Sequence, residues 1–123
     1  MVNLIYEKSF AFAVEIVAVS KELTLRRQFQ MANQLVRSGT SIGANVSESE
    51  QAQSRADFIS KLGIALKEAY ETRYWLKLLE AVGDLSPESA MRLLPMVDEI
   101  IRILVKSIKT AKMSGGQKPE QDF

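Results

Sequence analysis

The chain of 123 residues has no cysteine and no histidine. Without cysteine there are no disulfides, no thiolate metal ligands and no cysteine nucleophile. Without histidine it lacks the commonest general base and the commonest zinc ligand. Three prolines and six glycines leave little turn material for a β-sandwich. Charge of one sign is also missing: 16 Lys and Arg against 15 Asp and Glu give a formal +1. No global field therefore draws the chain to nucleic acid or anionic lipid, and any basic surface must come from local clustering. The most apolar stretch, Phe10 to Val19, is apolar at nine of ten positions. It is too short to span a bilayer, and no basic n-region or small-residue cleavage site accompanies it. The expectation is one cytoplasmic domain with no membrane association.

What is present is helical periodicity. Four patterns fill the sequence, with breaks at about 22–25, 49–54 and 83–86. The first runs from about Leu4 to Glu22. Tyr6, Phe10, Ala13 and Val17 make one stripe, while Ala11, Phe12, Ala18 and Val19 lie off it; Lys8, Glu15 and Glu22 share one narrow charged strip. A helix apolar over most of its circumference needs partners on two sides, the bundle core and a second copy. Phe12, Ala18 and Val19 are the expected subunit-interface residues.

The second pattern, about Leu25 to Glu48, contains the run Arg37-Ser38-Gly39-Thr40-Ser41-Ile42-Gly43-Ala44-Asn45-Val46-Ser47-Glu48. Gly and Thr are poor helix formers, yet the apolar period passes through them. Close approach of a neighbouring helix over small side chains explains both facts. A polar row, Gln34, Ser38, Ser41 and Asn45, reads either as hydrogen bonding across that tight interface or as a recognition surface.

The third pattern, about Arg55 to Val82, opens on Ser54 and Asp57 in a capping-box arrangement. Phe58, Leu62, Ala65, Ala69, Thr72, Leu76 and Leu79 then repeat at fours and threes, a heptad seam that predicts near-parallel packing of long helices. The fourth opens on Ser86 as N-cap with Pro87 and Glu88 behind it. Its seam is Ala90, Leu94, Val97, Ile101, Leu104, Ile108 and Ala111, flanked by Leu93, Met96, Ile100 and Ile103; Pro95 should kink or open its first turns. From Ser114 the composition shifts to a polar tail. The fold class is all-α: an antiparallel up-down four-helix bundle over 1–113, oligomeric, with a flexible tail over 114–123.

Catalytic chemistry has few candidates. Glu68 and Glu71 hold the spacing of a di-metal helix motif, but the histidines that complete it do not exist. Ser38, Thr40, Ser41 and Ser47 have no histidine base, and no phosphate loop occurs. The expectation is no catalytic residue, no metal and no cofactor. Basic residues gather at Arg26, Arg27 and Arg37, and again at Arg102, Lys106, Lys109 and Lys112. Repeated in an oligomer, either cluster becomes a stripe able to contact several phosphates. Tyr70, Tyr74 and Trp75 offer rings that stack on bases or, as flanking residues of a seam, pack into core or interface.

Leu35-Val36-Arg37-Ser38-Gly39-Thr40-Ser41-Ile42-Gly43-Ala44-Asn45-Val46-Ser47-Glu48 resembles the signature of the four-helix bundle proteins encoded in 23S rRNA intervening sequences. Asp57-Phe58-Ile59, then Ile64 to Thr72, and Tyr74-Trp75-Leu76 resemble its second block, and the likeness extends over about residues 4–112. Many members carry Pro where this chain has Gly43 and Gly where it has Ser49. The resemblance implies an antiparallel bundle assembled as a ring, commonly a homopentamer. The accessory variability proteins of diversity-generating retroelements look similar, and bind nucleic acid and a reverse transcriptase through basic surfaces. On that likeness the expected function is a non-enzymatic oligomer that binds RNA or other nucleic acid, with Arg26, Arg27 and Arg37 as first phosphate contacts and Lys106, Lys109 and Lys112 as second. The alternative is a protein-interaction scaffold with a protein partner and no nucleic-acid role.

Overall fold

Asn3, Ser54 and Ser86 each begin a helix by the same device. Their side-chain oxygens accept the backbone N–H of Tyr6 (3.2 Å), Asp57 (3.0 Å) and Ser89 (3.1 Å), satisfying amides that have no partner inside the helix. In the computed structural model, which describes residues 3–114, the helices are α1 (Leu4–Leu25), α2 (Phe29–Ser49), α3 (Arg55–Ala81) and α4 (Pro87–Met113). Neighbours in sequence pack side by side, α1 on α2, α2 on α3 and α3 on α4, and α4 returns to α1. This is an antiparallel up-down four-helix bundle. No strand occurs among the described residues.

Two of the three turns close the same way. At the end of α3, the Gly83 N–H reaches the Glu80 carbonyl (3.1 Å) and the Asp84 N–H the Leu79 carbonyl (2.8 Å), with Gly83 at φ +86°. At the end of α1, Arg27 donates to Thr24 (2.9 Å) and Gln28 to Leu23 (2.9 Å), with Arg27 at φ +64°. Both are Schellman turns, which need one left-handed residue. Glycine fills that place after α3; an arginine fills it after α1. The first break therefore lies at residues 26–28, later than the 22–25 expected.

The α3 seam is buried as the heptads predict: Phe58, Leu62, Ala65, Ala69, Thr72, Leu76 and Leu79 are that helix's buried residues. In α4 the buried line is Ala90, Leu93, Val97, Ile100, Ile101, Leu104, Ser107 and Ala111. Leu94 and Ile108, expected in the seam, are half-buried at its edge, and the flanking Leu93 and Ile100 take the core places. Pro95 sits exposed in an uninterrupted α4.

Helix α1 corrects the expected faces. Ile5, Phe12, Ile16, Val19 and Leu23 point into the core, while Tyr6, Phe10 and Val14 remain 39%, 58% and 56% exposed. Phe12 and Val19 are thus unavailable as interface residues, because the chain's own core buries them; Ala18 lies on the exposed side. The strip of Lys8, Glu15 and Glu22 lies along the α4 edge, where Lys8 pairs with Glu99 (3.2 Å) and Glu15 with Arg92 (3.3 Å). Of the tail expected over 114–123, only Ser114 lies within the described residues.

Candidate functional site

The bundle presents three surfaces with recognisable chemistry. The first is the outer face of the α1–α2 pair. Tyr6 and Phe10 stack at 6.1 Å with ring planes 23° apart, and Val14 continues the row. Beside them α2 offers only small side chains: Tyr6, Phe10 and Ala13 line a groove of about 270 Å³ with Thr40, Gly43, Ala44 and Ser47. Further along, Val17, Ser20, Ala32 and Val36 line a second groove of about 440 Å³. The Ser20 hydroxyl is buried beside it without a hydrogen-bond partner. α2 comes this close because Gly39 has no side chain. A Cβ there would lie 2.6 Å from Ile16 Cγ2, well inside contact distance.

The second surface holds the carboxylates and Arg37. Arg37 pairs with Glu68 (3.2 Å) and with Glu71 across the α2–α3 junction, and it also donates to Gln34 (3.4 Å). Glu71 further accepts from the Trp75 indole N–H (3.0 Å), which fixes that half-buried ring. Beneath lies the Thr72 Oγ1 donor, 2.9 Å from Ser38 Oγ and buried with it. The polar row of α2 accordingly faces α3. Asn45 turns back to the Ser41 carbonyl and hydroxyl (2.9 and 3.0 Å) of its own helix. Lys61 spans the same junction to Glu48 at 2.8 Å, and that carboxylate raises the Lys61 pKa above the ordinary lysine value. Glu68 and Glu71 are held as partners of a cation and an indole.

The third surface is basic. Arg102, Lys106, Lys109 and Lys112 are exposed on the last turns of α4, and residues 100–114 contain no carboxylate. None of the four makes an ion pair among the described residues.

The expected cationic residues do not converge. Arg26 lies at the α1–α2 end, where it pairs with Asp84 (3.8 Å) and donates to the Asp84 carbonyl (2.7 Å). Arg27 sits beside it, exposed and without an ion pair among the described residues. Arg37 is in mid-bundle, and Lys106, Lys109 and Lys112 run to the opposite end. Two of the three arginines expected to contact phosphate are occupied by carboxylates of their own chain, so a ligand must displace those partners first. Helical angle and spacing alone do not reveal this, since Asp84 is 58 residues from Arg26.

The description "23S rRNA-intervening sequence protein" belongs to the family that matches residues 2–106. No curated protein matches the sequence. Among solved structures, the chain is similar to a protein of unknown function from the S23 ribosomal protein family of Bacteroides thetaiotaomicron VPI-5482, whose crystal structure was determined at 1.70 Å resolution. The two share 50% identity and superpose with a TM-score of 0.84, over 86% of this chain and 99% of the other.

Proposed function

The chain belongs to the 23S rRNA-intervening sequence protein family, and on that premise we propose a non-enzymatic accessory protein that works as an assembly of copies and binds nucleic acid. The observation that carries the nucleic-acid reading is the α4 row, in which Arg102, Lys106, Lys109 and Lys112 stand exposed with no carboxylate in residues 100–114. Four cations on one copy bind a polyanion weakly. Copies set side by side multiply the phosphates neutralised, and affinity rises with each counterion released.

Assembly finds its support in α1. Tyr6, Phe10 and Val14 form a continuous apolar row beside a groove floored by small residues, the kind of exposed patch that marks an interaction site. A ring of five is the number implied by the family resemblance, and among the described residues no helix is long and apolar enough to cross a membrane. Joining through the α1–α2 side keeps the α4 lysines open to solvent, because in an up-down bundle the α3–α4 pair forms the opposite side. A scaffold that binds only protein is the second reading, and the pairing of Arg26 and Arg37 with carboxylates favours it.

Salt titration of binding to a structured RNA hairpin separates these readings. Binding that weakens steeply with salt and is abolished in Lys106→Gln/Lys109→Gln supports nucleic-acid recognition; no binding at low salt leaves the protein scaffold. Phe10→Glu should lower the assembly's mass by light scattering without loss of helix signal, and an unchanged mass would overturn assembly through this face.

A further inference from the structure

Helix α3 carries an outward row that the assembly and lysine readings leave unused: Lys67, Tyr70, Tyr74 and Lys77. At helical spacing these four share one face. Both lysines are exposed, and Tyr70 and Tyr74 are 44% and 59% exposed. We propose that this face of α3, with Arg102 and Lys109 of α4 alongside, is a binding platform for single-stranded nucleic acid, its two tyrosine rings taking unpaired bases. This proposal rests on the nucleic-acid reading above and names both the strand type and the residues.

The rings are held ready. Arg73 lies 5.1 Å from the centre of the Tyr70 ring while donating to Asp98 at 3.0 Å, so Tyr70 is braced from one side. Tyr74 meets Trp75 edge-on at 5.2 Å, and Trp75 is itself tied to Glu71. Tyr70 and Tyr74 stand one turn apart, about 6 Å along the axis. Successive bases reach both rings only when the strand is unpaired, since a duplex hides its base faces in the stack.

Charge selects the same ligand. The carboxylates nearest this row are already engaged: Asp98 by Arg73 and Glu71 by Arg37. Glu80, three residues beyond Lys77, makes no ion pair with it among the described residues. The register set by Arg73–Asp98 and by Arg55 donating to the Ala111 carbonyl brings Arg102 level with the Lys67–Tyr70 turn and Lys109 further along the same flank, beyond the Lys67 end of the row. Between them, Gly63 leaves an open floor, with nothing within 4 Å of where its Cβ would be. Uncompensated lysines disfavour a buried protein contact, whose centre is depleted of Lys. They suit a phosphate backbone threading past stacked bases.

The test is fluorescence anisotropy with labelled oligo(U) and a blunt RNA duplex of equal length, over a range of salt. The single strand should bind more tightly. Tyr70→Leu and Tyr74→Leu should each weaken it roughly tenfold with the salt slope unchanged. Lys67→Gln/Lys77→Gln should instead lower the slope by about 0.7 for each phosphate no longer neutralised. Circular dichroism melts confirm that the variants fold. Unaltered oligo(U) affinity in the tyrosine variants and in Lys67→Gln/Lys77→Gln, with weakening only in Lys106→Gln/Lys112→Gln, overturns the platform and leaves the α4 reading intact. Duplex preference also overturns it, and failure of both probes to bind at low salt overturns both readings together.

Discussion

A Cβ placed on Gly39 would lie 2.6 Å from Cγ2 and 3.2 Å from Cβ of Ile16, a residue with no solvent exposure. The atoms in the way are the stiff, β-branched root of a core side chain, so they have no slack to yield. Gly39→Leu should destabilise the bundle by about 1–3 kcal/mol through overpacking. Gly63→Ala, in open space on α3, should stabilise it by about 0.5–1 kcal/mol, because alanine is the better helix former. Urea midpoints measure both; equal shifts in the two variants would contradict close approach at Gly39.

Phe12 and Phe10 stand two residues apart and on opposite sides of α1. Phe12 is wholly buried and Phe10 is 58% exposed. Phe12→Ala should reduce stability by about 3–5 kcal/mol. Phe10→Ala should change monomer stability by about 0.5 kcal/mol or less while weakening self-association. Equal losses of stability would return both rings to the core.

Thr72→Val removes the hydroxyl that joins α3 to Ser38 and keeps the side-chain shape. It should destabilise by about 1 kcal/mol, a typical net value for one hydrogen bond. Ser38→Ala should lose less, since the Thr72 O–H then donates to the Glu68 carbonyl, 2.7 Å away, in place of Ser38. Chemical denaturation of the two single variants and the double variant gives the coupling; a coupling of zero would show that the contact is idle.

Arg27 adopts φ +64°, a conformation that side chains with a Cβ rarely take. Arg27→Gly should therefore stabilise the α1–α2 turn by about 1 kcal/mol, set by the relief of that strain against the entropy glycine loses on folding. A lower melting temperature in this variant would mean that the guanidinium makes a stabilising contact.

Above neutral pH the Lys61–Glu48 pair gives a signed expectation. The folded pKa of Lys61 is raised, so the pair's contribution is complete below the ordinary lysine value and is lost as pH climbs through the raised one. Lys61 is an exposed group, so the effect is small. Lys61→Met should therefore lower stability slightly at pH 6–8, where the pair is complete, and converge on the parent as pH climbs through the lysine range, flattening the alkaline limb; a difference that persists undiminished at alkaline pH would sink this assignment.

The α3 seam and the Ser54 and Ser86 caps are legible in the sequence because heptad spacing and capping are local. Helix α1 is not, since both of its stripes, Tyr6-Phe10-Val17 and Ile5-Phe12-Ile16-Val19-Leu23, are apolar at helical spacing. Only the position of α2 and α4 decides which one is core. The first turn falls later than expected because its left-handed residue is an arginine, leaving no glycine to mark it. The cationic clusters can be read from the sequence, but their neutralisation cannot. Arg37 finds Glu68 and Glu71 only once α2 and α3 lie side by side.

The edge where α4 meets α1 is the sparsest of the four helix junctions, and two partly exposed ion pairs, Lys8–Glu99 and Arg92–Glu15, span it. The α1–α2 junction, by contrast, is welded at Gly39. The bundle thus has a spine and a clasp: the Lys8–Glu99 edge is where the helices should part first, and added salt should weaken the two ion pairs that span it.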